Sequence, residues 1–199
     1  MITIDIDASQ ITRLEEAVAR AGKNIAKEVA AAINKVSKKT RLDMGGQVRD
    51  VIAIKKAESE KPIKVVATAT AGSLQALVRL KKTDRLGLRH FKARQDKKGV
   101  SYKIATKGKR ERVDGAFLIA KFGGNAFIRK GAKIIASKGR YRGKLRQPIV
   151  QLNGVSVYGA YRHHKLALPL EADVLAELHK QIERRINQNI LRAEGVLKH

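Results

Sequence analysis

The chain of 199 residues has no cysteine, no tryptophan, few carboxylates and no long apolar run. Without cysteine there is no disulfide, thiolate metal site or thiol nucleophile, and the redox compartment stays open. Acidic side chains number 18 against 43 Lys and Arg, a formal net charge of +25, so paired-carboxylate catalysis and two-metal sites have little material. No apolar stretch approaches the ~20 residues a transmembrane helix needs, and the first residues lack a basic-then-apolar signal pattern. The expectation is a soluble protein, intracellular or part of a virion, with no membrane partner. What is present argues for a fold. At 43% hydrophobic residues the chain is too apolar for disorder, which pairs high charge with low hydrophobicity. One domain is expected, burying roughly 70% of its unfolded surface.

The charge is uneven. Residues 91–148 hold 18 basic and 3 acidic side chains, while 1–47 hold 8 and 6, 48–90 hold 10 and 4, and 149–199 hold 7 and 5. Ten of the 16 glycines fall between Gly99 and Gly159. A cationic, glycine-rich middle between balanced ends reads as a loop-laden sheet held between helices.

Ile2, Ile4 and Ile6 alternate with polar residues, as in a half-exposed strand, and Asp7 with Gln10 resembles a capping box. Ile11, Leu14, Val18, Ala21, Ile25, Val29, Ile33 and Val36 recur every three or four residues. That stripe predicts a helix, kinked or split at Gly22 and stopped near Gly45-Gly46. Short apolar segments then predict strands at 51–55, 63–70, 74–81, 86–91, 100–105, 116–120 and 126–129. Asp96-Lys97-Lys98-Gly99 reads as a hairpin turn with Gly99 at positive φ. Short connections without helices make the sheet mostly antiparallel. Residues 131–148 read as a long exposed basic loop, and Pro169, Val174, Leu178, Ile182, Ile186 and Ile190 predict a second helix to about Arg192. The tail after Ala193 is expected to fray.

The fold class is therefore α+β, a mostly antiparallel β-sheet packed against a kinked N-terminal helix and a C-terminal helix, with a long basic loop. The divisions within one domain are 1–47 (strand and helix), 48–130 (antiparallel sheet), 131–168 (basic loop and connection) and 169–193 (C-terminal helix).

Catalytic patterns are missing. The Gly-Lys pairs at Gly22, Gly108 and Gly143 have Ala17, Lys103 and Lys138 five residues upstream, where a phosphate-cradling loop needs Gly. His163 and His164 are adjacent and would diverge on a regular element, unlike the spaced ligands of a zinc site. Asp84, Asp96 and Asp114 fall in turn-like settings, and no Ser sits in a nucleophile elbow. No enzyme activity, metal or cofactor is expected. The basic middle points to a polyanion, because Lys and Arg near phosphates release counterions. Phe117 and Phe127 read as core, so contact with a duplex backbone is favoured over base stacking.

Several segments carry a family likeness in their order. They are Ala31-Ala32-Ile33-Asn34-Lys35-Val36, then Leu86-Gly87-Leu88-Arg89-His90-Phe91-Lys92-Ala93-Arg94 with Gly99-Val100-Ser101. Gly115-Ala116-Phe117-Leu118-Ile119, Asn125-Ala126-Phe127-Ile128-Arg129-Lys130-Gly131 and Gln147-Pro148-Ile149 follow. Over about residues 30–160 the chain resembles the prophage minor tail protein Z family, the tail-completion proteins of lambda-like and related tailed phages. The resemblance implies a virion structural protein at the head-proximal end of the tail, made in the host cytoplasm and acting in tail assembly, head–tail joining and DNA positioning. It implies a homo-oligomer, a hexameric ring by the symmetry of that region, among tail terminator, tube, stopper or adaptor proteins. It implies no catalytic residue.

The expected contact site is the loop carrying Lys133, Lys138, Arg140, Arg142, Lys144 and Arg146, facing duplex DNA in the lumen or a neighbouring subunit. Of these, Arg140, Arg142 and Arg146 are expected to be exposed. The alternative is a free-standing basic nucleic-acid-binding protein of ribosomal or chromatin type, which rests on charge alone.

Overall fold

The longest apolar stripe becomes the longest helix. The structure, a computed structural model, describes residues 2–7 and 23–193; the Asp7–Gln10 cap, the Gly22 kink and the tail from residue 194 fall wholly or partly outside them. The helices are α1 (Lys23–Val51), α2 (Lys56–Glu60), α3 (Val157–His163) and α4 (Ala167–Ala193). Val29, Ala32, Ile33, Val36, Met44 and Val48 are buried along α1, the spacing that puts side chains on one helical face. Buried Ser37 and Thr40 donate to the carbonyls of Asn34 and Val36 at 3.0 and 2.9 Å, so neither hydroxyl is orphaned.

Leu170, Val174, Leu178 and Ile182 are buried along α4. Ion pairs Glu28–Arg185 at 2.6 Å and Lys39–Glu177 at 2.9 Å tie α1 to α4. Residue numbers fall on one helix as they rise on the other, so the two helices run antiparallel. The expected stop at Gly45-Gly46 is overrun. Gly45 instead marks a close approach, since a Cβ there would meet the Glu60 side chain at 2.8 Å. This gap lets α2 lie against α1.

The α+β class holds, with the strands divided among several small antiparallel sheets. In the first, β3 (Gln75–Leu80) lies between β1 (Ile2–Asp7) and β2 (Ile63–Ala67), with Ile2 and Ile63 both opposite Leu80. Ala76, Val78 and Leu80 are buried, the alternation of a strand with one face on a core. The second orders β4 (Arg94–Gln95), β5 (Gly99–Tyr102) and β6 (Glu111–Asp114). The third orders β11 (Ile149–Gln151), β8 (Asn125–Arg129) and β7 (Phe117–Ile119). A two-stranded pair, β9 (Ile134–Ile135) and β10 (Leu145–Arg146), stands beyond β8 and β11.

Several local expectations fail for identifiable reasons. Residues 51–55 are not a strand: α1 continues through Val51, and Ile52 makes only a single bridge to Ala105. Residues 86–91 are not a strand either; Leu88–Phe91 winds into a 3-10 turn that buries Leu88 and Phe91. The turn at Asp96 forms, with its Oδ1 accepting from the amides of Lys98 and Gly99 at 2.8 and 2.9 Å. Gly99 takes no positive φ; it is needed because a Cβ would strike the Val113 carbonyl across β5 and β6. One core joins the helices and sheets, with Phe91 and Tyr161 among its largest buried side chains.

Candidate nucleic-acid interface

Residues 131–148 are not an open loop. They are the outer half of a long two-stranded ribbon that starts where β8 pairs with β11, Arg129 opposite Ile149. The Lys130 amide donates to the Pro148 carbonyl at 3.0 Å, and Gln147 Nε2 donates to the Gly131 carbonyl at 2.9 Å. Register then shifts, with Gly131 at φ +94, before Ile134 pairs with Arg146 and Ile135 with Leu145. The Ala136 amide donates to Lys144 at 3.0 Å and the Gly143 amide to Ala136 at 2.8 Å, closing the tip around a 3-10 turn at Gly139–Tyr141.

Five of the six expected contact residues, Lys133, Lys138, Arg140, Arg142 and Lys144, are exposed on this outer half. Arg146 is the exception. Half-buried, it lays its guanidinium 3.7 Å from the centroid of the Tyr141 ring, with Arg140 at 6.0 Å from the same ring. Such stacking contributes roughly 0.5–1 kcal/mol at exposed sites, so Arg146 reads as a brace for the tip. Among the described residues none of the six forms an ion pair. The cause is visible in the sequence, where no Asp or Glu stands between Asp114 and Glu171. The ribbon projects unneutralised positive charge from backbone that is hydrogen bonded along its length.

The ribbon also exposes apolar side chains. Ile134, Ile135 and Leu145 are 57, 68 and 62% exposed. Cross-strand partners share a face, so Ile135 and Leu145 form one apolar side while Ile134 lies with Arg146 on the other. The Ile134-Ile135 pair inside a basic stretch was the only sequence signal of a strand there.

Among the described residues, no group of three or more His, Asp or Glu could hold a metal ion. His163 and His164 do not diverge but meet edge to face, ring centroids 5.0 Å apart, at the end of α3. They help line a mainly apolar cleft of about 340 Å³ with Arg85 and Ile104. His90 sits between neighbours, its Nε2 accepting from Arg89 Nε at 3.0 Å and its Nδ1 3.6 Å from Glu58. Burial lowers its pKa, opposed by the Glu58 charge and assisted by Arg89. Asp96 and Asp114 flank Arg112, at 4.0 and 2.8 Å, while Asp84 lines a separate cleft. The aromatics divide as their neighbours dictate: Phe127 is buried, whereas Phe117 is half-buried under the Arg129 guanidinium at 5.6 Å. Among the described residues no helix is long and apolar enough to cross a membrane.

Comparison with family models, with curated proteins and with solved structures gives no match to this chain.

Proposed function

We propose that the chain is a tail-completion subunit, a virion structural protein working at the head-proximal end of a phage tail. In this reading several copies, six by the family likeness, form a ring among tail terminator, tube, stopper or adaptor proteins. The ribbon of residues 131–148 points its cations at duplex DNA in the lumen or at the neighbouring ring. The observation that carries the reading is this ribbon, hydrogen bonded to its tip and free of any carboxylate between Asp114 and Glu171. Charge held this way destabilises the isolated fold by self-repulsion and is relieved beside a polyanion. The ordered motifs from Ala31 to Ile149 supply the likeness.

Particle assembly tests it. The variant Arg140→Ala, Arg142→Ala, Lys144→Ala is expected to fold, since these three side chains are exposed, and to yield tails that fail to join heads or to deliver DNA. An unchanged titre, or a particle reconstruction without this chain at the head-proximal end, would refute the reading. The second reading, a free-standing duplex-binding protein, is favoured by the same acid-free ribbon. It predicts a chain that stays monomeric on DNA and is missing from particles.

A further inference from the structure

A second cationic surface shares no residue with the ribbon and is built from residues that the sequence scatters between 38 and 85. Lys38 and Arg41 from α1 face Lys61 and Lys64, at the start of β2, across a hollow of about 580 Å³. The same Lys61 and Lys64 form one wall of a second hollow of about 550 Å³, whose other cations are Lys81, Lys82 and Arg85. The Lys81 amide donates to the Pro62 carbonyl at 2.9 Å, which brings the end of β3 beside the start of β2 and joins the two hollows. Seven cations thus line one groove, against Glu58, Glu60 and Asp84. Glu60 is already held by Arg41, Arg49 and Lys56, and Glu58 faces His90.

Two details at the groove point to a partner over it. Lys64, which lines both hollows, lies directly opposite Arg79 across β2 and β3, a like-charge pair that disfavours the sheet. Thr83 Oγ1, which lines the second hollow, is buried with no hydrogen-bond partner among the described residues. Buried donors of this kind normally have partners.

We infer that this groove binds the phosphate backbone of a nucleic-acid duplex, as a contact separate from the ribbon. The lining favours a duplex over a single strand. No aromatic side chain lines either hollow, which disfavours a single strand whose bases need stacking platforms. Most of the cations are lysines, point charges that can each meet one of a row of phosphates, and competition by poly-glutamate separates this from an acidic protein surface. The inference goes beyond the tail-completion reading and holds whether or not the chain is a tail subunit.

The test is duplex binding by the purified full chain, followed by fluorescence anisotropy over a salt series. Three variants are compared: Lys61→Ala with Lys64→Ala, Lys81→Ala and Lys82→Ala; the ribbon triple alanine; and a charge-matched control, Lys97→Ala with Lys98→Ala, Lys107→Ala and Lys109→Ala. All eight lysines are exposed or nearly so in the fold, and thermal melts check that each variant stays folded. The groove variant should lower the slope of log K against log salt by about 2 or more, at roughly 0.9 per lost phosphate contact, and weaken binding on the order of 30-fold at ~0.15 M salt. The same drop should appear in the ribbon-triple background, and Lys→Arg at the four groove positions should restore most of it. Equal loss in the charge-matched control would mean diffuse attraction and overturn the groove. So would an unchanged slope, no duplex binding by the native chain, or competition by poly-glutamate as effective as by duplex at equal charge.

Discussion

Asn34 is the point where α1 is stitched to the first sheet. Its Nδ2 donates to the Ala69 carbonyl and its Oδ1 accepts from the Ala69 amide, both at 2.8 Å and across 35 residues. The side chain therefore imitates one strand residue and closes the end of the β2–β3 hairpin against the helix. Ala69 is buried, 5% exposed, so water does not readily replace the amide. Asn34→Ala removes two hydrogen bonds worth about 1 kcal/mol each and leaves two backbone groups unpaired, for a total near 2–4 kcal/mol. At roughly 2–4 °C per kcal/mol for a domain of this size, calorimetry or urea unfolding reads the loss directly. Asn34→Asp sharpens the argument. It keeps the acceptor but turns a carboxylate oxygen toward the Ala69 carbonyl, so at neutral pH it should be no better than Ala. On acidification toward pH ~4, where a carboxyl regains its proton, Asp should overtake Ala. A loss below about 0.5 kcal/mol for Asn34→Ala, the ordinary range of surface substitutions, or an Asp variant indifferent to pH, would refute the two-bond account.

Gly154→Ala should destabilise by about 1–3 kcal/mol through overpacking, because its Cβ would meet the fully buried Phe91 ring at 2.5 Å; pairing it with Phe91→Leu should recover part of the loss in urea titrations. Tyr161→Phe should be neutral or stabilising by up to about 1 kcal/mol, since the buried Tyr161 hydroxyl has no partner among the described residues. The same burial, with the Glu171 charge second, pushes that phenol up to about 12, and burial with the Glu111 hydrogen bond does the same for Tyr102, so spectrophotometric titration should find two tyrosines that ionise only in strong alkali or on unfolding, and one in Tyr161→Phe. For His90, the folded state holds its proton less tightly than the unfolded chain. Its contribution is therefore complete above pH ~6.5 and is lost as pH falls below that. His90→Gln should flatten the stability profile just below pH ~6.5, a region clear of Asp96 and Glu177. Their carboxyls are held below the usual range, Asp96 by the Lys98 and Gly99 amides and Glu177 by Lys39 and Gln181.

The helices were legible because burial of a helical face repeats within the chain itself: Val29, Ile33, Val36, Leu178 and Ile182 are buried as their spacing requires. Alternation likewise located the strands around 63–67, 75–80, 99–102, 117–119 and 125–129. The failures fall where a residue's role is set by a distant neighbour. Gly45-Gly46 looks like a terminator, yet Gly45 is small to admit Glu60. Leu86–Phe91 is apolar enough for a strand, but the Leu88 and Leu86 amides are claimed by Leu152 and Val155, and the segment turns instead. β9 and β10 are two residues each, too short for alternation to register.

The two cationic surfaces differ in the same way, and the difference explains why only one could be read in advance. The ribbon's charge is contiguous in sequence, so counting along the chain locates it, although its rigidity and the bracing of Tyr141 by Arg146 emerge only from pairing. The groove's charge is assembled by register: Lys64 and Arg79 are opposed, and Lys81 lies beside Pro62, only because β2 and β3 pair as they do. A shift of one residue in that pairing would exchange the two faces of the strand. Lys64 would then turn inward and both hollows would lose a cation they share, leaving the same composition without the groove. Net charge alone therefore favours polyanions in general, whereas the pairing of β2 with β3 decides whether these cations line a groove at all.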